Sequence, residues 1–395
     1  MNMKIDTDAK KINELLTRGV DEIIGKEELE QQLKNGQELR IKLGIDPTSP
    51  NLHLGRSIPL LKLRDFQNLG HKIVFIIGDF TGIIGDTSDK ESERPMLSEE
   101  QVAENMESYI EQAGKILDLK KCEIVHNSDW LKKLGYAEIG KQADTFSLSD
   151  FIARENIKRR LDAGKRVSLR ELLYPLMQGY DSVAIKADVE IGGTDQRFNI
   201  LAGREMQRLY NQKPQSIITN PLIAGTDGRK MSSSWGNTIN LVAKPDDMFG
   251  KVMSLHDDLI ITYFTLTTRL DLLEINKKKK CLEAGENPRD IKLELAHEIV
   301  KMYHGEDEAK TAQANWEKTF SQKEIPDNIP KLKPTAYDIM TVLLESKLAE
   351  SKSEARRALE QNGVKVNEEV ITDPKFETKP SDIIQKGKRY WVKVL

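Results

Sequence analysis

Two short segments of this sequence carry side chains suited to handling a nucleotide. His53-Leu54-Gly55-Arg56 sets a ring N–H donor two residues before a glycine and three before a guanidinium. Gly55 has no Cβ, so a flat base can approach its backbone, and His53 can donate to a phosphate oxygen. On its own the tetrapeptide also fits a histidine satisfied just before a turn. Gly228-Arg229-Lys230-Met231-Ser232-Ser233-Ser234 combines a loop-forming glycine with cations and small hydroxyl donors, which suits charge on a transferring phosphoryl group. A flexible surface loop is the plain alternative. Between the two, Tyr174, Gln178 and Asp181 stand at i, i+4 and i+7, so one helix face carries a phenol, an amide and a carboxylate. A solvent-facing polar stripe has the same spacing.

These groups need a frame. Short apolar runs at Leu39 to Ile45, Lys72 to Ile77, Cys122 to His126, Val189 to Gly192 and Ser216 to Thr219 predict strands. The stretches between them are long enough for helical crossovers, which predicts βαβ units and an α/β fold with a parallel, Rossmann-like sheet. Ligands of such sheets bind beyond the carboxyl ends of the strands, against helix N-termini that favour phosphate. His53 to Arg56 and Gly78 to Asp86 both follow predicted strands. An amphipathic helical opening carries Ile12, Leu15 and Leu16, and later Ile23 and Ile24, near helical spacing.

Residues 1–245 are therefore expected to form the nucleotide-binding domain with its helical extension. From 246 to 322 the pattern turns helical and charged, including the run Lys277 to Lys280, and predicts a separate helical domain. Pro326, Pro330 and Pro334 among polar residues mark 323–334 as a linker, leaving 335–395 as a small module. With 60 basic and 63 acidic residues the chain has no global field for a polyanion, but the stretch from Lys331 onward has thirteen basic against ten acidic side chains. Cys122 and Cys281 lack CxxC spacing, which argues against a disulfide framework or a structural zinc site. No apolar run approaches a membrane span, and the polar opening residues lack a signal core, so a reducing cytoplasm is the expected compartment.

The two nucleotide segments, in this order around a predicted parallel sheet, resemble the HIGH and KMSKS signatures of class I aminoacyl-tRNA synthetases. The stretches Lys42 to Thr48, Gly78 to Asp86, Tyr174 to Asp181 and Gly192 to Gln196 resemble those of the bacterial tyrosyl-tRNA synthetases nearly end to end. Leu348 to Leu359 followed by Gly363 to Asn367 resembles an S4-type RNA-binding module of α+β type.

The resemblance implies activation of L-tyrosine by ATP with Mg²⁺, followed by transfer to tRNA(Tyr), in a homodimer. It implies that Asp86, Tyr174 and Gln178 hold the substrate's ammonium, Asp181 meets its phenolic hydroxyl, and Gln196, with Thr81 and Lys42, completes the tyrosine site. Gly193 and Asp195 would contact the ribose. Thr48 and His53 would contact the phosphates, with Gly55, Arg56, Lys230, Met231, Ser232 and Ser233 completing the ATP site. Lys90 and Arg94 would close over pyrophosphate. In the tail, Lys352, Arg356 and Arg357 would face RNA phosphates, although an amphipathic helix with a charged outer face fits too.

Five positions depart from the family pattern: Arg56 replaces the second histidine of HIGH, Ser233 the second lysine of KMSKS, Lys42 a pocket tyrosine, and Thr87 and Asp89 interrupt the glycine-rich stretch. An arginine keeps a donor and a charge, whereas a serine supplies no cation. Two other functions stay open at this point: tryptophan activation, the sibling chemistry, and RNA binding on a decayed synthetase scaffold.

Overall fold

The computed structural model of the protein describes residues 4–86, 96–321, 329–387 and 390–395, with side chains omitted at 99, 107, 320 and 321. Two compact units divide the chain, Met1–Lys310 and Thr311–Leu395.

The first unit is built on a six-stranded sheet: β1 (Glu22–Ile24), β2 (Arg40–Ile45), β3 (Lys72–Ile77), β4 (Cys122–His126), β5 (Val189–Gly193) and β6 (Ser216–Asn220), in the order β1-β6-β5-β2-β3-β4. The run Lys-Ile-Val-Phe-Ile-Ile of β3 is buried from Ile73 to Ile77, as a central strand covered on both faces requires. Strands β2 to β6 pair in parallel, and each apolar run expected from the sequence is one of them. The exception is the edge. Ile23 and Ile24, read from spacing as helical, lie in β1, antiparallel to β6. The opening helix ends at Thr17, and Gly19, with φ of +58°, turns the chain so that three residues suffice to pair along β6.

From β2 the chain proceeds outward to β3 and β4, then returns to β5 on the other side of β2 and continues to β6. The strand order therefore reverses between β2 and β5, where an open α/β sheet forms its ligand crevice. The long helix Leu169–Ile185 begins at a capping box, with Ser168 and Glu171 each bonding the other's backbone, and packs against helix Arg197–Leu209.

The expectation of a separate helical domain is corrected. Residues from 246 to 310 share the first unit with the sheet. Their helices are charged outside but apolar within: Ile260, Tyr263, Phe264 and Leu266 are buried, and helix Ile260–Thr267 packs on helix Leu54–Asn68. Arg269 adds a two-bond pair to Asp65, at 2.8 and 2.9 Å.

The second unit holds a five-stranded sheet of β7 (Lys331–Leu332), β8 (Val364–Val366), β9 (Glu369–Val370), β10 (Ile383–Lys386) and β11 (Tyr390–Val394), in the order β7-β11-β10-β8-β9. Lys331 and Leu332, expected in the linker, pair in parallel with Lys393 and Val394. Helix Lys352–Glu360, capped by Ser351, turns Ala355 and Leu359 into this core and leaves Lys352, Arg356 and Arg357 exposed.

Candidate active site

At the switch point, beyond the carboxyl ends of the parallel strands, lies a cavity of about 640 Å³. Asp46 and Thr48 follow β2, Gly78, Thr81 and Asp86 follow β3, Asn127 follows β4, and Asp195 and Gln196 follow β5. Helix Leu169–Ile185 contributes Tyr174, Gln178 and Asp181, the face expected from their spacing.

The inner end is a chain of buried and part-buried polar contacts. Tyr174 donates its hydroxyl to Asp46 Oδ2 at 2.7 Å, and Thr81 donates to Asp46 Oδ1 at 2.7 Å. Asn127 donates to Thr81 at 2.8 Å and to Asp181 Oδ2 at 3.3 Å, while the Trp130 indole donates to Asp181 Oδ1 at 2.8 Å. Burial pushes the Asp181 carboxyl up to about 7, against the lowering effects of the Lys42 charge and the Trp130 and Asn127 donors. Tyr174 is raised well above the usual phenol range by burial and by the neighbouring carboxylates, so it keeps its proton for Asp46 and leaves oxygen lone pairs to accept. Nearby, Gln196 donates to Asp86 Oδ2 at 2.7 Å and accepts from Asn199 at 2.9 Å.

The outer end joins the two signature segments. The Gly55 N–H donates to Met231 Sδ at 3.3 Å, and Leu54 N–H to the Ile239 carbonyl at 2.9 Å. A side chain at position 55 would press a Cβ to within 3.1 Å of the His53 ring. His53 is buried, and its Nδ1 has no hydrogen-bond partner among the described residues. Burial, with the charges of Arg56 and Lys230, lowers its pKa to about 3, so it is a neutral donor rather than a cation. Arg56, where the family pattern has histidine, reaches the Tyr109 hydroxyl at 2.9 Å and Thr48 Oγ1 at 3.3 Å. Lys230, half-buried, pairs with Asp195 Oδ2 at 2.8 Å. Ser233 and Ser234 are exposed.

Thus Thr48, His53, Gly55, Arg56, Thr81, Asp86, Tyr174, Gln178, Asp181, Gly193, Asp195, Gln196, Lys230, Met231, Ser232 and Ser233, spread over nearly two hundred positions of sequence, line one cavity. Lys90 and Arg94, with Thr87 and Asp89, lie outside the described residues. Lys42 is corrected. It is fully buried behind the cavity wall, 2.9 Å from Glu190 Oε1, and is not among the lining residues. In β2 its side chain points under helix Leu169–Ile185, to the Gln178 carbonyl and Ser182. Sequence reasoning missed Asn127 and Trp130. Their signal was the place of Asn127, one residue past a predicted strand, where ligand groups gather.

Among the described residues, no group of three or more His, Cys, Asp or Glu side chains converges on a metal-sized site. No helix among them is long and apolar enough to cross a membrane.

Residues 34–321 match the family model of class I tRNA synthetases (W and Y), and residues 339–384 match the S4 domain. A protein of Pseudoalteromonas translucida named tyrosine–tRNA ligase 2 is 45% identical over 96% of this chain and 97% of its own length. The tyrosine–tRNA ligase of Thermotoga maritima is 45% identical over 96% of each. Among solved structures, tyrosyl-tRNA synthetase of Archaeoglobus fulgidus in complex with L-tyrosine superposes with a TM-score of 0.63 at 22% identity, over 78% of this chain and all of that one. A C-terminally truncated mitochondrial tyrosyl-tRNA synthetase of Aspergillus nidulans gives a TM-score of 0.67 at 21% identity, over 78% and 94%. At those identities the structural matches speak to fold.

Proposed function

This chain belongs to the class I tRNA synthetases of the W and Y family, with an S4 domain at its end, and we propose that it makes tyrosyl-tRNA(Tyr) in two steps at the cavity between β2 and β5. In the first step the carboxylate of L-tyrosine attacks the α-phosphate of Mg·ATP in line, forming tyrosyl adenylate and releasing pyrophosphate. In the second, a terminal tRNA hydroxyl takes the tyrosyl group and AMP leaves. The substrate supplies the nucleophile, so the protein's task is to position reactants and to stabilise charge on the leaving pyrophosphate.

The observation that carries this reading is the buried Asp181 at the inner end of a cavity whose outer end joins both nucleotide segments. Asp181 accepts from Trp130 and Asn127 and keeps lone pairs for a phenolic hydroxyl. The Tyr174 oxygen, Gln178 and Asp86 receive the ammonium, and Gln196 orients Asp86 by its 2.7 Å bond. At the outer end, His53 and Thr48 donate to phosphate, Arg56 adds a fixed charge beside Thr48, and Gly193 and Asp195 meet the ribose. Because Asp195 holds Lys230, nucleotide binding exchanges that ion pair, giving the carboxylate to ribose and the ammonium to phosphate. Lys90 and Arg94 are assigned to pyrophosphate on the family pattern. Mg²⁺ is proposed as part of the ATP substrate.

Lys352, Arg356 and Arg357, exposed on their helix, are proposed to face tRNA phosphates, and the helices of 246–322 to serve the anticodon side. A homodimer is proposed, supported by the exposure of Tyr136, Leu148, Ile152, Leu161, Leu169 and Leu173 on neighbouring helices. We place the protein in the cytoplasm.

The deciding experiment is ATP–pyrophosphate exchange with tyrosine, tryptophan and phenylalanine as separate substrates. Exchange driven by tyrosine alone is expected. Exchange driven by tryptophan would move the substrate assignment, and none with any amino acid would leave RNA binding as the activity.

A further inference from the structure

At the amino-acid end of the cavity, in a wall that Gln178 and Glu190 line and Lys42 backs, sits a charged cluster to which the reaction assigns no step. Lys42 and Glu190 are register partners across β2 and β5, and both are buried. The Glu190 carboxylate takes Lys42 Nζ at 2.9 Å and Gln178 Nε2 at 3.1 Å on Oε1, and Ser182 Oγ at 3.0 Å and Gln215 Nε2 on Oε2. Lys42 also donates to Ser182 Oγ at 2.7 Å and to the Gln178 backbone carbonyl at 2.8 Å. Space for the cluster comes from Gly203, where a Cβ would stand 2.6 Å from Gln215 Nε2, 2.8 Å from Ser182 Oγ and 3.2 Å from Glu190 Oε2.

A buried ion pair adds little net stability over apolar residues of the same volume, so its presence here calls for another role. Gln178 supplies that role. An ionised carboxylate only accepts, so the Gln178 amide must turn its NH₂ group toward Glu190. Its carbonyl oxygen is then left for the cavity, which Gln178 lines. A Gln178 turned the other way would present two N–H donors to an ammonium and repel it.

We propose that Glu190, braced by Lys42, is a positioning residue for amino-acid recognition, holding the Gln178 carbonyl oxygen toward the substrate's ammonium. This rests on the assignment of Gln178 to the ammonium made above. The effect is confined to ligands that carry the ammonium, and Lys42, which does not line the cavity, exerts it through Glu190 and Gln178.

The test compares binding of L-tyrosine with that of 3-(4-hydroxyphenyl)propanoate, which lacks the amine, to the full-length protein. In Lys42→Met/Glu190→Met, which exchanges the pair for apolar chains, tyrosine Kd is expected to rise roughly ten- to hundredfold, the size of a hydrogen bond to a charged group, with the analogue unchanged. Equal weakening of both ligands, or of neither, overturns the proposal in favour of a purely structural pair. Gln178→Met separates the two ideas: if it too leaves tyrosine binding unchanged, the assignment of Gln178 is at fault, and if it alone weakens tyrosine, only the role of Glu190 falls. Should the double variant not fold, the wild-type protein decides. The Gln178 side-chain amide protons, identified in NMR spectra by their loss in Gln178→Met, are expected to exchange slowly with solvent while tyrosine is bound, and fast exchange would overturn the inward-turned amide.

Discussion

Around Asp181 most of the polar groups are buried and hold one another in fixed orientations, whereas around Lys230 they are half-exposed and joined by an ion pair that a nucleotide must replace. The inner end has Asp46, Thr81, Asn127, Trp130 and Tyr174 interlocked at 2.7 to 3.3 Å before any substrate arrives. Such a site tells substrates apart by the cost of leaving a buried group unpaired, and that cost needs rigidity. The outer end has to follow a phosphate whose charge grows and then departs. Cations on an exposed loop suit that task better than a closed network.

The comparison breaks most visibly at Lys230. Lys230→Ala is expected to lower kcat of pyrophosphate exchange by about 10²- to 10³-fold, the usual cost of losing one stabilising charge, while leaving KM for tyrosine in place. A matching loss in tyrosine KM would mean that the two ends are not independent. At the inner end, Asp181→Ala should reduce the preference for tyrosine over phenylalanine in kcat/KM by about a hundredfold, with KM for ATP unaffected. If the preference survives, the phenol is recognised elsewhere.

A pH series sharpens the contrast. The Asp181 carboxyl, raised to about 7, accepts from a phenol more strongly when ionised, so tyrosine KM should climb as pH falls below 7, by at most about tenfold per unit. KM for ATP should show no titration near 6.5, because His53 lies near 3. The stability sign is opposite. A folded pKa of about 7 above an ordinary 3.8 means that the folded state binds a proton the unfolded state has lost between those values. Stability therefore falls as pH rises through that window, and Asp181→Asn should raise Tm most clearly above pH 7. The smallest expected effect is at the loop: Ser233→Lys restores a second cation at an exposed position and should raise kcat of exchange by less than about tenfold, since an exposed charge is worth little.

Legibility in the sequence follows the same division. The strands β2 to β6 were readable because each is an apolar run bounded by polar turns, and the Tyr174, Gln178, Asp181 face because helical spacing is a local property. The edge strand β1 was not, since Ile23 and Ile24 become a strand only through their pairing with Ile218 and Ile217. Lys42 was misplaced for a related reason. Its fate depends on Glu190, 148 positions away, and on which face of the sheet helix Leu169–Ile185 covers. The helices after 246 looked independent because their charged faces dominate the composition, and what their apolar faces pack against, as helix Ile260–Thr267 packs on helix Leu54–Asn68, is set only by the tertiary structure.

By itself the sequence determined the α/β frame, the two nucleotide segments and the amino-acid helix, because these depend on residue type and short-range periodicity. Only the tertiary structure decided that Lys42 braces Glu190 instead of entering the pocket, that Asn127 and Trp130 hold Asp181, and that Lys230 rests on Asp195. Those outcomes are contacts between residues from 3.3 Å down to 2.8 Å apart in space and far apart in the chain. Whether a buried charge has a partner, and so what it can do, is set by the packing of strands and helices around it.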